Sequence, residues 1–260
     1  MRPNTVRRTL RQGGVAIGTL VFEFSTPGIG RIAANAGADF VLFDTEHTGW
    51  SLDTVRLLTA TARAADVVPL VRVPAAQYHL IARPLDIGAL GVMVPMVETE
   101  DQARLIVASA MYPPLGRRGA AFGLAHDDYT GGDVPAKMQS ANEEILLIAQ
   151  IETAAGVENV ERIAAVERID VLWIGHFDLT SSLGIPGQFD HPAYLRAVDR
   201  VLEACQRRNK AAGFMVASVE EGRAKRAQGF RCLAYWGDLW IYAEALHRGI
   251  AGIRRGEDPA

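Results

Sequence analysis

The chain alternates short apolar segments with segments that carry the apolar spacing of helices, and it does so eight times. Each apolar segment has the length of a strand buried on both faces. The predicted strands cover residues 15–21, 39–44, 67–73, 90–94, 146–152, 171–175, 211–216 and 231–236. Strands separated by helices favour a parallel sheet with right-handed crossovers. A count of eight predicts an α/β fold, the closed (β/α)8 TIM barrel. The first predicted strand is not followed by a G-x-G-x-x-G motif, which argues against an open dinucleotide-binding sheet.

The length of 260 residues suits one such barrel, since barrels of about 250 residues commonly form one domain. No Pro-, Gly- or Ser-rich linker divides the chain, so we expect a single domain over residues 1–260. The rhythm breaks only over residues 112–142, which contain two adjacent prolines and several glycines. We interpret this insertion as a long loop with some short helix, at an active site or a subunit contact.

Composition and charge argue against several classes of partner. A net charge of -3 and a pI near 6.1 provide no basic field for nucleic acid. No run is long and apolar enough for a membrane span, and the first residues contain no apolar signal segment. Cys205 and Cys232 belong to no paired motif, which argues against disulfides and structural zinc. We therefore expect a cytoplasmic protein that acts on small molecules.

Polar side chains stand at or just after the ends of four predicted strands. They are Asp44 and His47, Arg72, Gln150 and Glu152, and Asp178. In a parallel barrel these strand ends meet at one rim, where the active site forms. Taken singly, each residue has an ordinary explanation as a rim salt bridge or a solvated loop residue. Taken together, these residues fit a catalytic site better than a set of purely structural ion pairs.

The two acidic residues on separate strands, Glu152 and Asp178, predict a site for a hard divalent cation. Such an ion would chelate the carboxylate and keto oxygen of a 2-oxo acid and stabilise its enolate. Arg72 would add fixed positive charge where the oxyanion develops. His47, oriented by Asp44, would act as general base, directly or through a metal-bound water.

The lysines argue against the other common aldolase chemistry. Lys137, Lys210 and Lys225 all lie away from strand ends, so a Schiff base at the rim is disfavoured. The turns after strands seven and eight contain no Gly-rich phosphate cup either. Metal-assisted carbanion chemistry remains, and in this scheme Gln150 could orient a metal-bound water or the substrate.

Several stretches resemble one family, the HpcH/HpaI class II pyruvate aldolases. They are residues 43–47 (Phe-Asp-Thr-Glu-His), 71–72 (Val-Arg), 85–89 (Leu-Asp-Ile-Gly-Ala), 94–97 (Val-Pro-Met-Val), 112–119, 150–152 (Gln-Ile-Glu) and 174–179. The stretches follow the family order over nearly the whole chain. Together they are far more specific than any one motif.

The resemblance implies a barrel whose last helix is exchanged with a neighbouring subunit, in a homo-hexamer built as a trimer of dimers. The roles it implies are Glu152 and Asp178 as ligands of Mg, Mn or Co, His47 as base supported by Asp44, Arg72 on the enolate oxygen, and Gln150 in the substrate site. It also implies that Asp86 reaches an adjacent subunit's active site, although a helix-end salt bridge would explain this residue equally. Backbone amides near Phe177 and Asp178 would hold the pyruvate carboxylate.

The chain departs from the family pattern at His176 and Phe177, where many members have proline and a small residue. These larger side chains could reshape the pocket for the donor 2-oxo acid, with His176 as a packed side chain or a further ligand. In the insertion, residues 126–129 could contact the aldehyde or form a solvated loop. Two other functions stay open, a citryl- or malyl-CoA-type lyase and a barrel retained as a non-catalytic binding module.

Overall fold

The computed structural model describes residues 1–255, and its core is a closed barrel of eight parallel strands. The strands are β1 (Ala16–Val21), β2 (Phe40–Asp44), β3 (Val68–Arg72), β4 (Gly91–Val94), β5 (Leu146–Ile151), β6 (Val171–Ile174), β7 (Ala211–Val216) and β8 (Phe230–Gly237). Each strand pairs with the next along the chain, and β8 pairs with β1 to close the sheet. This confirms the predicted (β/α)8 barrel.

Helices surround the barrel and connect its strands. They are α1 (Thr5–Arg11), α2 (Ile29–Asn35), α3 (Leu52–Ala64), α4 (Tyr78–Asp86), α5 (Glu100–Ala110), α6 (Val134–Glu144), α7 (Ala154–Glu158), α8 (Val160–Ala165), α9 (His176–Ser182), α10 (Pro192–Arg207), α11 (Val219–Ala227) and α12 (Asp238–Arg255). Among the described residues no helix is both long enough and apolar enough to cross a bilayer.

Successive strand residues face the barrel interior and the helix layer in turn. Leu42, Leu70 and Ile148 belong to the buried cluster that fills the barrel. Val71 and Leu147 belong instead to the cluster between the strands and the outer helices. Both faces of each strand are therefore apolar, which is why the strands read as continuous hydrophobic runs in the sequence.

Hydroxyl side chains cap the N-termini of α3 and α5. The backbone N–H of Thr54 donates to Ser51 Oγ at 3.2 Å at the start of α3. At the start of α5, Gln102 N donates to Thr99 Oγ1 at 3.2 Å, and Gln102 Oε1 accepts from Thr99 N at 3.0 Å. This reciprocal pair is a capping box, and it satisfies N–H groups that have no partner within the helix.

Two helices lie in segments that the sequence pattern assigns to loops. The glycines and prolines after the sixth predicted strand indicate a loop up to residue 191, but this prediction is wrong over α9, which begins one residue after β6. Within the insertion, α6 is longer than the short helix expected there. Asp133 begins it by accepting from Ala136 N at 2.9 Å, with a proline in the first turn. The glycines that precede Asp133 hide this start signal in the sequence.

We expect the contact between α2 and α3 to tolerate no side chain at Gly30. A Cβ at this position would lie 2.7 Å from the Ala62 Cα, so Gly30→Ala would force the two helices apart. The variant should lower the free energy of unfolding by about 1–3 kcal/mol in urea denaturation. Gly28→Ala is the matched control, because a Cβ there meets nothing within 4 Å. Equal stabilities of the two variants would contradict this packing argument.

Candidate active site

A cavity of about 230 Å³ opens at the carboxyl ends of the strands. Five of the predicted site residues line it, namely His47, Arg72, Gln150, Phe177 and Asp178. The rest of its wall consists of Leu20, Phe22, Met93, Trp173, Ile174, Gly175, His176, Met215 and Trp240. The rim expected from the strand ends is therefore a real concavity, and most of the remaining wall is apolar.

Asp44 and Arg72 form an ion pair at the end of β2 and β3. The two residues are partners in the strand register, and Arg72 Nε donates to Asp44 Oδ1 at 2.6 Å. Asp44 is completely buried. Its carboxylate also accepts from the backbone N–H groups of Glu46 at 3.2 Å and His47 at 2.9 Å. Asp44 thus fixes both the arginine and the turn that follows β2.

Asp44 supports His47 through the backbone, whereas the imidazole itself lies beside Glu46. His47 Nε2 is 3.7 Å from Glu46 Oε2, and the same carboxylate oxygen is 3.2 Å from Arg72 Nη1. The sequence analysis did not select Glu46, because a carboxylate in a polar loop is usually solvated. Its side chain is only 17% exposed and contacts two of the predicted site residues, His47 and Arg72.

The carboxylate of Glu152 lies buried behind Gly175. Gln150 Nε2 donates to Glu152 Oε2, and Met96 N donates to Glu152 Oε1 at 2.7 Å. Met96 adopts a left-handed φ of 55° as it does so. A Cβ on residue 175 would lie 2.2 Å from Glu152 Oε2, so only glycine leaves room for this carboxylate. Gly175 lines the cavity, and the absence of a side chain there leaves space for the Glu152 carboxylate behind it.

Burial and neighbouring negative charge raise the pKa values of two rim carboxyl groups, those of Glu46 and Glu152. Burial is the main cause that raises the pKa of Glu152 to about 7, and the charges of Glu46 and Asp178 add to it. Burial also raises the pKa of Glu46, an effect that Arg72 opposes and that Asp44 and Asp178 increase. The mutual influence of these groups means that they share one electrostatic site.

The donor set fits a hard divalent cation that keeps several water ligands. Asp178 is exposed and lines the cavity, and buried Glu152, directly after the neighbouring strand β5, provides a second carboxylate. Gln150 Oε1 and Glu46 Oε2 are buried oxygens without a hydrogen-bond donor. Within residues 1–255, no three His, Cys, Asp or Glu side chains form an all-protein metal cage. Magnesium commonly binds through one or two carboxylates plus water, so two acidic ligands suffice.

The first turn of α9 presents His176, Phe177 and Asp178 to the cavity. The His176 ring stacks on Phe214 with centroids 5.0 Å apart and packs against Phe177 at 4.6 Å. Burial lowers the pKa of His176. His176 is thus a packed wall residue in this structure, and both His176 and Phe177 line the cavity.

Asp86 and the insertion lie apart from the cavity of their own chain. Asp86 Oδ1 accepts from Arg118 Nη2 at 2.6 Å, and the Arg118 guanidinium lies 4.8 Å from the Tyr112 ring centroid. His126 Nε2 donates to a backbone carbonyl at 2.7 Å, and Asp127 pairs with a lysine of the insertion. Asp86 is about one-third exposed, so its carboxylate remains accessible to another subunit.

The chain is similar in sequence to known proteins over nearly its whole length. The profile of the family described as HpcH/HpaI aldolase/citrate lyase matches residues 20–241. A 2-keto-3-deoxy-L-rhamnonate aldolase of Escherichia coli O17:K52:H18 (strain UMN026 / ExPEC) is 33% identical over 98% of this chain and 95% of its own length.

Solved structures give the same picture. The HpcH/HpaI aldolase from Desulfitobacterium hafniense DCB-2 superposes with a TM-score of 0.91 at 32% identity, covering 95% of this chain and 96% of that one. Citrate synthase SbnG superposes with a TM-score of 0.86 at 28% identity, covering 97% and 98%. In both cases the similarity covers nearly the whole length of the two chains.

The raised pKa of Glu152 has a consequence for stability in protein stripped of metal. The folded chain holds a proton on this group up to about pH 7, whereas the unfolded chain loses it near pH 4.5. Stability from this group is therefore present at low pH and falls as pH rises from 4.5 to 7. The free energy of unfolding of the wild-type protein should fall by on the order of 1–3 kcal/mol between pH 5 and pH 8, and Glu152→Gln should abolish this decrease. Urea denaturation of both proteins at both pH values measures this difference, and parallel pH profiles would contradict it.

Proposed function

Because the chain belongs to the HpcH/HpaI aldolase/citrate lyase family, we propose that it is a divalent-metal-dependent aldolase of 2-oxo acids. In this proposal it forms the enolate of pyruvate or hydroxypyruvate and adds it reversibly to an aldehyde, so that 4-hydroxy-2-oxo acids are cleaved in the other direction. The family relatives are carbon–carbon lyases by name. The observation that carries the proposal is the buried carboxylate of Glu152 directly behind Gly175, under the electrostatic influence of Asp178, at a cavity that Asp178 and Arg72 line.

The proposed cation is Mg, Mn or Co, held by Glu152 and Asp178. When bound, it supplies positive charge that acidifies the C–H next to the keto group and stabilises the enolate. Gln150 supports this role, because its amide donates to Glu152 and leaves a carbonyl oxygen free to orient a water or the substrate. Backbone N–H groups of Phe177 and Asp178, in the first turn of α9, would bind the substrate carboxylate.

Arg72 and His47 would perform the remaining steps. Arg72 is held by Asp44 and Glu46 with its charge at the cavity wall, where it would stabilise the oxyanion at C2. His47 is 60% exposed and lines the cavity, so it can accept the proton that leaves C3 and return it to the product. The apolar wall limits water around the enolate, which protects it from premature protonation.

Chelation tests this function most simply. We expect the protein to exchange the C3 hydrogens of pyruvate with deuterated solvent, as followed by proton NMR, without any aldehyde present. Removal of divalent metal with a chelator should abolish the exchange, and addition of Mg, Mn or Co should restore it. Exchange that persists in metal-free protein would contradict the proposed metal dependence. A His47→Ala variant with unchanged exchange would reassign the base.

The similarity to a citrate synthase favours one second candidate, a lyase of the citryl- or malyl-CoA type. An assay for cleavage of CoA thioesters separates the two functions. Thioester cleavage without pyruvate exchange would replace the aldolase proposal. Turnover of neither substrate class by metal-loaded protein would favour a non-catalytic binding barrel instead.

We also propose a homo-hexamer, a trimer of dimers in which α12 is exchanged between neighbouring subunits. Apolar side chains along α12 support this assembly, because Leu246, Ile250 and Ile253 are 46%, 40% and 81% exposed in one chain. An apolar cavity of about 700 Å³ between α2 and α12 is a second uncovered surface. Light scattering should give the mass of six chains, and Ile253→Glu should give smaller species. A monomer at micromolar concentration would contradict the assembly.

A cytoplasmic location completes the proposal, because both cysteines are buried free thiols, as expected in a reducing compartment. Disulfide formation in protein isolated from cells would argue against it.

A further inference from the structure

We propose that a cavity at the amino-terminal end of the barrel binds a phosphate-type oxyanion, either inorganic phosphate or the phosphate group of a small phosphorylated metabolite. The cavity lies where β6 and β7 begin, at the opposite end of these strands from the rim. It shares no lining residue with the rim cavity. The proposal is therefore separate from the aldolase function, and neither depends on the other.

The cavity has an excess of positive charge. Its volume of about 380 Å³ falls in the range of about 300–1,000 Å³ that is usual for small-molecule sites. Five lining side chains are cationic and two are acidic, namely Arg7, Arg11, Arg168, Arg208 and Lys210 against Glu167 and Asp170. This local excess occurs in a chain whose formal net charge is -3. A concave surface with one dominant sign of charge concentrates small ions of the opposite sign.

One of the five cations, Arg7, is already neutralised. Arg7 Nε and Nη2 lie 3.1 and 3.0 Å from the two carboxylate oxygens of Asp170, and Arg7 Nη1 donates to the backbone carbonyl of Glu143. The Asp170 carboxylate also accepts from Leu147 N at 3.1 Å. This buried pair joins α1 to the start of β6 and forms a fixed part of the cavity wall. The positive excess therefore belongs to the other four cations.

These four cations lack acidic partners. Within residues 1–255, none of them forms a salt bridge. Lys210 Nζ donates to the carbonyl of Val166 at 3.2 Å, which leaves two further hydrogens for a ligand. Burial lowers the pKa values of Lys210 and Arg168, and neighbouring arginines lower both further. A bound anion would relieve this repulsion between like charges.

Arg168 is the cation that the fold alone explains least. It lies in the turn before β6 with a left-handed φ of 74°, a conformation that favours glycine. Its Nε is buried without a hydrogen-bond acceptor in residues 1–255, and its Nη2 lies 4.0 Å from Met111 Sδ, a weak acceptor. Arg11 and Arg208 lie at the ends of α1 and α10, where a cation complements the helix dipole, but Arg168 belongs to no helix. An oxyanion, whose geometry matches the planar donors of a guanidinium, accounts for Arg168.

Isothermal titration calorimetry on the full-length protein in the presence of Mg²⁺ tests the site. Inorganic phosphate and glycerol 3-phosphate are titrated separately, with the ionic strength held constant by chloride. We expect saturable binding with a Kd below about 1 mM for at least one of them. Tighter binding of glycerol 3-phosphate would identify a phosphorylated metabolite as the ligand, and tighter binding of phosphate would identify the inorganic ion. Absence of saturable binding of both would overturn the inference.

Arg168→Gly separates a ligand-binding role from a structural one. Glycine adopts the left-handed φ without strain, so urea denaturation should show this variant to be at least as stable as the wild-type protein. The same variant should bind the anion at least tenfold more weakly. Arg208→Gln should also weaken binding. Arg196→Gln is the matched control, because Arg196 is an exposed arginine of α10 that does not line the cavity.

The variants also identify an anion that binds elsewhere. Phosphate held at the rim would be lost in Arg72→Gln and retained in Arg168→Gly, and this pattern would overturn the inference. Equal weakening by Arg168→Gly and Arg196→Gln would overturn it too, because binding would then depend only on net charge. Pyruvate exchange enters none of these measurements. Failure of the anion site would therefore leave the aldolase proposal unchanged, and the reverse also holds.

Discussion

The guanidinium of Arg72 pairs with two carboxyl groups at the rim of the barrel, those of Asp44 and Glu46. Two further carboxyl groups, those of Glu152 and Asp178, influence the same site through their charge. Burial and the nearby negative charges of Glu46 and Asp178 make the ionised form of Glu152 costly in the protein alone. A proton can relieve this excess of negative charge, and so can a divalent metal ion. This arrangement supports the proposed binding of a cation.

The strand register of the barrel places several of these charged groups close together. Because β2 and β3 pair with Asp44 opposite Arg72, the ion pair forms at the strand ends without any loop to position it. Between β5 and β6, Ile151 pairs with Ile174, which places Glu152 beside Gly175 one residue later. The absence of a side chain at Gly175 gives the carboxylate its place. The strand register thus fixes Asp44, Arg72 and Glu152, whereas Glu46 and Asp178 lie in the segments that follow β2 and β6.

Periodicity in the sequence predicts the barrel well because its strands are apolar on both faces and its helices are not. The strand ends also predict His47, Arg72, Gln150 and Asp178, which all line the cavity. Side-chain direction within a loop has no such periodic signal, so the sequence could not tell that the His47 ring lies beside Glu46. Helix α9 was missed because it begins directly after β6 and has no side-chain cap. The role implied for Asp86 in a neighbouring site would depend on contacts between subunits, which no pattern within one chain contains.

The central claim is that Glu152 and Asp178 bind one divalent cation and that this cation replaces a proton on Glu152. Isothermal titration calorimetry with Mn²⁺ in buffers of different ionisation enthalpy counts the protons released on binding. With the pKa of Glu152 at about 7, binding should release about one proton per cation at pH 6 and almost none at pH 9. Glu152→Gln should abolish both the binding and the pH dependence. Binding with the same proton count at both pH values, or binding that survives Glu152→Gln, would contradict the account.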